Sequence, residues 1–433
     1  MLDIKFIREN KELVKKAIKD KGVNLDIDEL LHADSKRRDL IWQVEEYRRK
    51  RNEVSEAVAN EKDIVKKNDL IAETRSLKEN GKILEDRLRQ AEEEYDRLML
   101  LVPNIPSPEA PVGPDAGYNK KIYKWGEPPV FDFPVKNHAE LAEGLGLIDF
   151  ENGARVSGFR GYYLKNEAVL MHLGIVWHAL RKMAARGFEL TVPPTIVREF
   201  ALIGSGHFPY GKEEIYQIAN PGHLEAKEGE KESAFLAGTS EPSLLAMFAG
   251  RHFKEAELPV KICGISQCYR SEIGSYGKDT KGIYRVHEFM KVEQVILCKN
   301  DLQESEKWFQ EILAIAREIL EELKLPYRVI DAATGDMGAG KYRMNDIEVW
   351  MPGRGDWGET HSNSMLTDWQ ARRLNIKYAD SEGAAKFVHT LNNTVIASPR
   401  ILIAILENYQ RADGSVVVPE ILREYVGKDL IQR

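Results

Sequence analysis

The first hundred residues carry apolar side chains at alternating spacings of three and four positions, and this repeat constrains the fold more than any other feature. Such a repeat places one apolar stripe along a helix. A polar break at 60–68 divides the repeat into two stretches, which we expect to pair as an antiparallel two-helix coiled-coil arm. The expected contact positions are Leu40, Val44, Tyr47, Val54 and Val58, with Arg51 at a polar slot, and Leu70, Leu77, Leu84, Leu88, Ala91, Tyr95 and Leu98, with Thr74 and Gly81 between them.

A proline-rich segment ends this repeat. Pro103, Pro106 and Pro108 stop helices and stiffen a linker, so we place a domain boundary there. The predicted domains are a helical arm at 1–102, a linker at 103–116 and a second domain at 117–433. Shorter helices are expected at 3–20 and 26–31.

The second domain mixes predicted strands and helices without a regular alternation. We therefore expect an α+β fold built on a mostly antiparallel β-sheet. The strands are predicted at 234–237, 260–269, 291–297, 327–330 and 346–350, and the helices at 168–186, 243–253, 301–323 and 399–409.

Composition excludes several classes of protein. Apolar residues make up 43% of the 433 residues, which is enough for a folded core. No apolar run approaches the roughly 20 residues that cross a bilayer, and the first residues lack an apolar signal core, so we expect a cytoplasmic protein without membrane contact. The three cysteines cannot form a disulfide framework and lack zinc-site spacing, so no zinc is expected. With a net charge of −7, any nucleic-acid contact must use a local basic patch.

One cluster has the composition of a nucleotide-binding hairpin. A predicted strand ends in Arg270-Ser271-Glu272, a Gly- and Lys-rich loop follows at 274–282, and a returning strand begins at 285–289. Arginines neutralise phosphates, an aromatic ring can stack on a base, and a carboxylate can accept from an exocyclic amine. A solvated surface hairpin would have the same composition, so this cluster alone leaves both interpretations open.

Two clusters of acids and hydroxyls follow the same logic. Thr239 and Glu241 could bind a ligand, or they could begin a helix as its N-cap and first turn. Asp346 and Glu348, with the acid and hydroxyl side chains of 359–364, could bind Mg²⁺ or face solvent.

The segment Ser398-Pro399-Arg400 is typical of a helix start, with Ser398 as the cap. An ordinary buried helix would begin in the same way. However, a cation at a helix N-terminus is opposed by the helix dipole. Arg400 therefore indicates an anion nearby.

These clusters, in this order, resemble the class II aminoacyl-tRNA synthetases, and within them the seryl-tRNA synthetases. The second class II motif is similar to 270–272 and 285–289, and the third is similar to 392–400. The family motif Gln370-Ala371-Arg372-Arg373 is present, and Pro193-Pro194 stand where the first motif belongs. The resemblance covers essentially the whole chain.

The resemblance implies an enzyme that activates L-serine with ATP and transfers it to tRNA(Ser), with tRNA(Sec) open as a second acceptor. The residues implied for ATP are Arg270, Ser271, Glu272, Arg285, Val286, Phe289, Glu359, Thr360, His361, Ser362 and Arg400. Those implied for serine are Thr239, Ser240, Glu241, Arg270, Glu293, Asn392 and Thr394. Glu359 and Ser362 would hold Mg²⁺, and the catalytic residues would be Arg270, Arg400 and Glu359.

The resemblance also implies individual roles. Arg270 would bridge the serine carboxylate and the α-phosphate of ATP. Glu272 would accept from the adenine amino group, and Phe289 would stack on the adenine ring. Arg400 would cover the other face of the ring and hold the γ-phosphate, while Glu293 would bind the serine hydroxyl.

The expected macromolecular partners are tRNA and a second copy of the chain, since the first class II motif forms a two-fold dimer interface in the family. Residues 36–51 contain seven Lys and Arg against three acids, and we assign Arg48, Arg49 and Lys50 to tRNA binding. A merely solvated helix face is the alternative for this patch. A ligase with another acceptor, or an inactive RNA-binding homologue, remains open for the chain.

Three positions depart from the family pattern. Pro399 stands where the third motif commonly has glycine, His361 where a small residue is more frequent, and His207 in place of a more usual glutamine. None of these departures removes a group that the chemistry requires.

Overall fold

The computed structural model describes residues 1–220, 233–273 and 282–433, which form two compact units: residues 2–103, and residues 104–433 together with Met1. The helices of the first unit are α1 (Ile4–Glu9), α2 (Lys11–Asp20), α3 (Ile27–Asn60) and α4 (Ile64–Leu100).

The first unit differs from the sequence prediction only in its helix boundaries. The predicted helix at 3–20 is divided at Asn10, and the predicted helix at 26–31 is the first turn of α3. The turn between α3 and α4 is shorter than the predicted break, because Asp63 caps α4 by accepting from the Val65 amide at 2.8 Å.

Helices α3 and α4 form the predicted pair along the expected stripe. Leu40 and Val44 of α3 and Leu98 of α4 are buried, whereas Arg51 is exposed. The slot at Gly81 is filled from the opposite helix, since a Cβ there would lie 2.0 Å from the Tyr47 ring. The coiled-coil arm is therefore confirmed, with a glycine accommodating an aromatic side chain.

The second unit contains both helices and strands. The helices are α5 (His138–Leu145), α6 (Phe150–Ser157), α7 (Glu167–Ala185), α8 (Glu199–Ser205), α9 (Glu241–Ala246), α10 (Leu302–Glu322), α11 (Trp369–Leu374), α12 (Arg400–Asn408) and α13 (Arg423–Val426). The strands are β1 (Lys120–Trp125), β2 (Ile148–Asp149), β3 (Tyr163–Leu164), β4 (Glu189–Thr191), β5 (Ile196–Arg198), β6 (Ala234–Leu236), β7 (His252–Lys254), β8 (Val260–Tyr269), β9 (Glu288–Cys298), β10 (Tyr327–Asp331), β11 (Arg343–Met351), β12 (Asp356–Thr367), β13 (Lys377–Ala379), β14 (Ala385–Phe387), β15 (His389–Ser398), β16 (Val416–Val417) and β17 (Leu430–Ile431).

The largest sheet runs in the order β1-β10-β11-β12-β15-β9-β8-β4. Its neighbouring strands are antiparallel except for the parallel pair β4 and β8. This topology confirms the predicted α+β fold on a mostly antiparallel sheet. The predicted strand at 260–269 coincides with β8, whereas β12 and β15 were not predicted from the sequence.

Helix α10 covers one face of this sheet, so only the other face is free to form a cavity. Gln294 Nε2 of β9 and Asn393 Nδ2 of β15 each donate to the Ile312 carbonyl of α10 at 2.7 Å. Asn363 Nδ2 of β12 donates to the Phe309 carbonyl at 3.0 Å. Because side chains alternate across a strand, the neighbours of these three residues point to the opposite face.

Two predictions about the ends of helices are wrong. The helix predicted at 243–253 is α9, which ends at Ala246, and the strand β7 follows. Ser398 does not cap α12, because it is the last residue of β15 and its Oγ lies 2.7 Å from Nδ1 of His172. Pro399 takes the N-cap position without a side-chain hydrogen bond.

The segment after Pro103 belongs to the second unit and is hydrogen-bonded within it. The Asn104 amide nitrogen donates to the Ala339 carbonyl at 2.9 Å, and its Nδ2 donates to the Leu366 carbonyl at 2.8 Å. Ser107 donates its amide to the Tyr342 carbonyl at 2.7 Å. These buried hydrogen bonds fix the start of the predicted linker to the body that follows it.

Candidate active site

A cavity of about 190 Å³ opens on the face of the sheet opposite α10. Strands β8, β9, β12 and β15 and the start of α12 contribute its walls. The lining residues are His207, Thr239, Glu241, Arg270, Glu272, Ile283, Tyr284, Val286, Phe289, Lys291, Glu293, Lys341, Glu359, Thr360, Ser362, Asn392, Thr394, Ala397, Ser398, Pro399 and Arg400. Segments from position 207 to position 400 of the sequence meet here.

The structure brings most of the predicted site residues to this cavity. Those that line it are Thr239, Glu241, Arg270, Glu272, Val286, Phe289, Glu293, Glu359, Thr360, Ser362, Asn392, Thr394 and Arg400. The Gly- and Lys-rich loop at 274–281 lies outside the described residues.

Four predicted residues do not line the cavity. Ser240 Oγ lies 2.7 Å from Ser266 Oγ in the protein interior, and Ser271 Oγ donates to the Glu213 carbonyl at 2.8 Å. Arg285 instead supports the wall, since its Nη1 donates to Glu272 Oε2 at 3.1 Å.

His361 is the clearest departure from the predicted ATP set. It is 1% exposed, and its Nε2 donates to the Val395 carbonyl at 3.0 Å. A register shift in the pairing of β11 with β12 leaves Thr360 unpaired between Glu359 and His361. This bulge puts Glu359 on the same face as Ser362 and turns His361 away. The position of His361 therefore does not support a contact with ATP.

At the inner end of the cavity, Glu241 is the centre of a hydrogen-bond network. Its Oε1 accepts from Gln370 Nε2 at 2.6 Å and from Asn392 Nδ2 at 2.8 Å. Burial raises the pKa of Glu241, but the charge of Lys341, together with His207, the Gln370 hydrogen bond and Lys291, outweighs burial and brings the pKa below its ordinary value. Glu241 is thus an ionised carboxylate held in one orientation.

A second buried carboxylate, Glu293, lies on β9 next to the ammonium group of Lys291. Lys291 Nζ lies 2.8 Å from Glu293 Oε2, and Thr394 Oγ1 donates to the same oxygen at 3.4 Å. Burial raises the pKa of Glu293 despite the charge of Lys291. The lysine, the carboxylate and the hydroxyl form a compact polar wall that suits a small hydroxyl-bearing ligand.

Thr239 leaves a polar atom available at this end. It is 4% exposed, and its Oγ1 has no hydrogen-bond partner among the residues that the structure describes. It does not cap α9, whose N-cap is Ser240. A buried hydroxyl without a partner costs about 1–3 kcal/mol, so this position favours a bound polar group.

The outer end of the cavity combines arginines with aromatic rings. The Arg270 guanidinium lies 5.4 Å above the Phe289 ring, and Arg270 Nε donates to the Gly238 carbonyl at 3.3 Å. Arg400 lies 4.6 Å above the Tyr284 ring, and its Nη1 donates to the Glu359 carbonyl at 3.0 Å. Cations over planar rings around an open slot suit a planar base with phosphates attached.

The residues expected to bind Mg²⁺ have suitable chemistry. Glu359 and Ser362 both line the cavity, and carboxylate and hydroxyl oxygens are ligands that Mg²⁺ accepts. Asp346 pairs with Ser362 across β11 and β12, and its buried Oδ1 has no hydrogen-bond partner in the described part of the chain. Burial, followed by the charge of Glu359, raises the pKa of Asp346 well above its ordinary value. A cation near these oxygens would relieve that repulsion.

Several lining residues were not assigned to the site from the sequence. Lys291 and Tyr284 belong to the hairpin segment, where alternation along the strand could have identified Lys291 as a neighbour of Glu293. Lys341 follows Gly338 and Gly340 in a segment without a recognisable motif. His207, noted only as a family departure, is half-buried, and its desolvation lowers its pKa to about 4.

The three predicted tRNA-binding residues lie in the first unit, on the exposed side of α3. Each is paired with a glutamate: Arg48 with Glu85 at 3.1 Å, Arg49 with Glu46 at 2.6 Å and Lys50 with Glu73 at 3.7 Å. Their side chains remain 56%, 67% and 61% exposed. Exposed pairs of this kind contribute about 0–1 kcal/mol, so an incoming phosphate can displace the glutamates.

Within the described ranges, no helix combines the length and the apolar character needed to cross a membrane.

Comparisons with known proteins identify the family of the chain. The family profile described as the tRNA synthetase class II core domain (G, H, P, S and T) matches residues 223–409, and the profile of the seryl-tRNA synthetase N-terminal domain matches residues 1–106. The chain is 43% identical to the serine–tRNA ligase of Rubrobacter xylanophilus, covering 100% of this chain and 99% of the relative. It is 45% identical to the serine–tRNA ligase of Deinococcus radiodurans, covering 99% and 98%.

The fold comparison gives the same result. The crystal structure of seryl-tRNA synthetase from Pyrococcus horikoshii complexed with ATP matches with a TM-score of 0.87 and 36% identity, covering 100% of this chain and 99% of that chain. With both sequence profiles, full-length relatives and the three-dimensional fold in agreement, the chain belongs to the seryl-tRNA synthetase family of class II aminoacyl-tRNA ligases.

Proposed function

We propose that the cavity carries out the first of two steps that join L-serine to tRNA(Ser). The serine carboxylate attacks the α-phosphorus of ATP, the bond to the bridging β-phosphate oxygen breaks, and pyrophosphate leaves. A terminal ribose hydroxyl of tRNA then attacks the carbonyl of seryl-adenylate, and AMP leaves. The observation that carries the proposal is the pair of buried carboxylates, Glu241 and Glu293, in the same cavity as the Thr239 hydroxyl, which has no hydrogen-bond partner among the described residues.

The inner end of the cavity fits serine in one orientation. The ionised Glu241 and the Thr239 hydroxyl would accept from the α-ammonium group. Glu293 and Thr394, whose oxygens are 3.4 Å apart, would bind the serine hydroxyl, and Asn392 closes the wall beside Glu241. In this orientation the carboxylate points outward, toward Arg270.

The outer end fits ATP. Arg270 would hold the serine carboxylate and the α-phosphate together, which counters the repulsion between the two anions. Phe289 offers a ring for the adenine, and Glu272, oriented by Arg285 at 3.1 Å, would accept from the amino group of the base. Arg400 would bind the γ-phosphate. Catalysis then rests on positioning and charge stabilisation without a covalent enzyme intermediate.

Glu359 and Ser362 would hold Mg²⁺ with ATP. When bound, the ion neutralises phosphate charge. The two side chains orient their oxygens from the same face of β12, and Arg400, whose Nη1 lies 3.6 Å from Glu359 Oε1, aligns the carboxylate.

The test is ATP–pyrophosphate exchange in the presence of serine or alanine. Because the Glu293 and Thr394 pocket is left unsatisfied by a methyl group, we expect alanine to be rejected by about 10⁴-fold or more. Replacing Thr394 with valine should raise KM for serine and reduce the discrimination between serine and alanine in the exchange reaction. Equal exchange with serine and alanine in the unmodified chain would overturn the assignment of the serine pocket.

We assign tRNA binding to the helical arm at 1–102 and catalysis to the domain at 117–433. All the residues that line the cavity lie after position 206, and the exposed basic residues Arg48, Arg49 and Lys50 lie on the arm. The cytoplasm, where ATP and tRNA are available, is the proposed location.

The proposed assembly is a homodimer through helix α7 and the strand that follows it. Leu170, Leu173 and Trp177 form one apolar stripe on α7 and are 43%, 49% and 56% exposed. A stripe of this kind can serve both copies of an isologous interface. The mass of the active enzyme, measured by light scattering at the assay concentration, tests the dimer. A fully active monomer would refute it.

A further inference from the structure

The motif Gln370-Ala371-Arg372-Arg373 was recognised in the sequence without a role, and the structure places its first residue behind the serine end of the cavity. Gln370 lies on α11 and is fully buried. Its Nε2 donates to Glu241 Oε1 at 2.6 Å and to the Ser205 carbonyl at 2.7 Å. Its Oε1 accepts from the Thr390 hydroxyl of β15 at 2.6 Å.

These contacts permit one orientation of the amide. If Nε2 and Oε1 exchanged places, Oε1 would face two other acceptors, Glu241 Oε1 and the Ser205 carbonyl, at hydrogen-bond distance. The Thr390 hydroxyl would also lose its acceptor. The Gln370 side chain is therefore fixed, and it fixes in turn the carboxylate that it contacts.

The same amide also joins two walls of the cavity. Ser205 ends α8 and carries, two residues later, the cavity-lining His207, whose Nδ1 lies 2.9 Å from Ser205 Oγ. Glu241 begins α9. A single buried side chain thus sets the separation between the His207 loop and the Glu241 carboxylate.

We propose that Gln370 is a positioning residue for serine, which holds the Glu241 carboxylate and the His207 loop at the spacing that accepts the α-ammonium group. The inference rests on the proposed role of Glu241. Gln370 itself does not line the cavity and acts through Glu241 and Ser205.

The experiment compares two variants with the same substitution at buried glutamines. Gln370→Met removes both donated hydrogen bonds, whereas Gln294→Met removes a buried hydrogen bond to the Ile312 carbonyl on the opposite face of the sheet. In serine-dependent exchange, Gln370→Met should raise KM for serine about ten- to hundredfold, the effect of losing a hydrogen bond to a charged group. KM for ATP should stay within about twofold, and Gln294→Met should leave both constants unchanged.

The pH profile separates positioning from loss of stability. The groups that act on Glu241 are Lys341, His207, Lys291 and Glu293, with Gln370 as a hydrogen-bond donor. Gln370 helps to lower the pKa of Glu241, so its removal should raise that pKa. The acid limb of kcat/KM for serine should therefore move to higher pH in Gln370→Met and stay in place in Gln294→Met.

A milder variant covers the case in which Gln370→Met does not fold. Thr390→Val keeps the shape of the side chain but removes the hydroxyl that holds Gln370 Oε1, and it should raise KM for serine in the same direction by a smaller factor. The inference would be overturned if KM for serine were unchanged in folded Gln370→Met or in Thr390→Val. It would also be overturned if Gln370→Met and Gln294→Met changed KM for serine equally.

Glu241→Gln, measured in parallel, distinguishes a failure of the proposed role of Glu241 from a failure of the proposed role of Gln370. If it leaves KM for serine unchanged, the proposed role of Glu241 fails. If it raises KM for serine while Gln370→Met does not, only the inference about Gln370 fails.

Discussion

At the scale of single residues, alternation along the strands decides which side chains face the ligand. Glu293 faces the cavity while its neighbour Gln294 donates to α10, and Asn392 and Asn393 divide in the same way. Family motifs predicted most of the residues that line the cavity, because their chemistry is specific, but they did not identify Lys291 or Lys341. The bulge at Thr360 could not be predicted, since it depends on how β12 pairs with β11.

The buried histidine at this bulge makes folding stability depend on pH. Burial lowers the pKa of His361 to about 4, whereas an unfolded histidine titrates near 6.5. The unfolded chain therefore binds more protons between these values, and stability falls as the pH drops from 6.5 toward 4. One such group contributes about 3 kcal/mol at most over this window.

His361→Gln should therefore flatten the acid dependence of stability. We expect lower stability at pH 7, because the contact with Val395 is changed, but a slope shallower by roughly 1.4 kcal/mol per pH unit below pH 6. Denaturant unfolding of the second unit at pH 7 and pH 5 measures both quantities. His252→Gln, at an exposed position of β7, is the control, and equal slopes in the two variants would contradict the assignment.

At the scale of elements, the arm shows what periodicity can and cannot predict. The stripe of apolar positions on α3 and α4 was predicted from the spacing alone. The spacing could not explain Gly81, whose role appears only when α3 brings Tyr47 against it. The turn was also placed too broadly, because five residues of the polar break continue α4 from Ile64.

Gly81→Ala should destabilise the arm, although alanine is the better helix former by about 1 kcal/mol. A Cβ at this position would lie 2.0 Å from the Tyr47 ring, so the Tyr47 side chain or the helix that carries it must shift, at a cost of about 1–3 kcal/mol. Amide hydrogen exchange of residues 70–88 should become faster. The rate of serine-dependent ATP–pyrophosphate exchange should be unchanged.

Two further variants identify the cause of this effect. Gly144→Ala, on α5, should not destabilise its helix, because no described atom beyond its chain neighbours and the backbone of α5 lies within 4 Å of the added Cβ. Combining Gly81→Ala with Tyr47→Leu should recover part of the lost protection. If amide hydrogen exchange in Gly81→Ala alone is slower than in the unmodified chain, Tyr47 moves away without an energetic cost.

At the scale of the whole molecule, an acidic protein has to bind a polyanion. The chain has 62 Lys and Arg against 69 Asp and Glu, so the net charge of −7 repels RNA at long range. Residues 36–51 reverse this sign locally, with seven basic residues and three acids. The structure adds that Arg48, Arg49 and Lys50 are exposed and weakly paired, which suits an exchange of glutamates for phosphates.

Replacing Arg48, Arg49 and Lys50 together with alanine should weaken tRNA binding and reduce its dependence on salt. Each phosphate contact contributes somewhat under one unit to the slope of log affinity against log salt, so the slope should become shallower by about two units or more. The constants for serine and ATP should not change, because the cavity lies in the other unit. The control is the triple variant Arg251→Ala, Lys324→Ala and Lys386→Ala, which removes the same charge from exposed pairs of the second unit. An equal loss of affinity and slope in the control would mean that net charge alone is responsible, and no loss in the arm variant would mean that this face of α3 is only solvated.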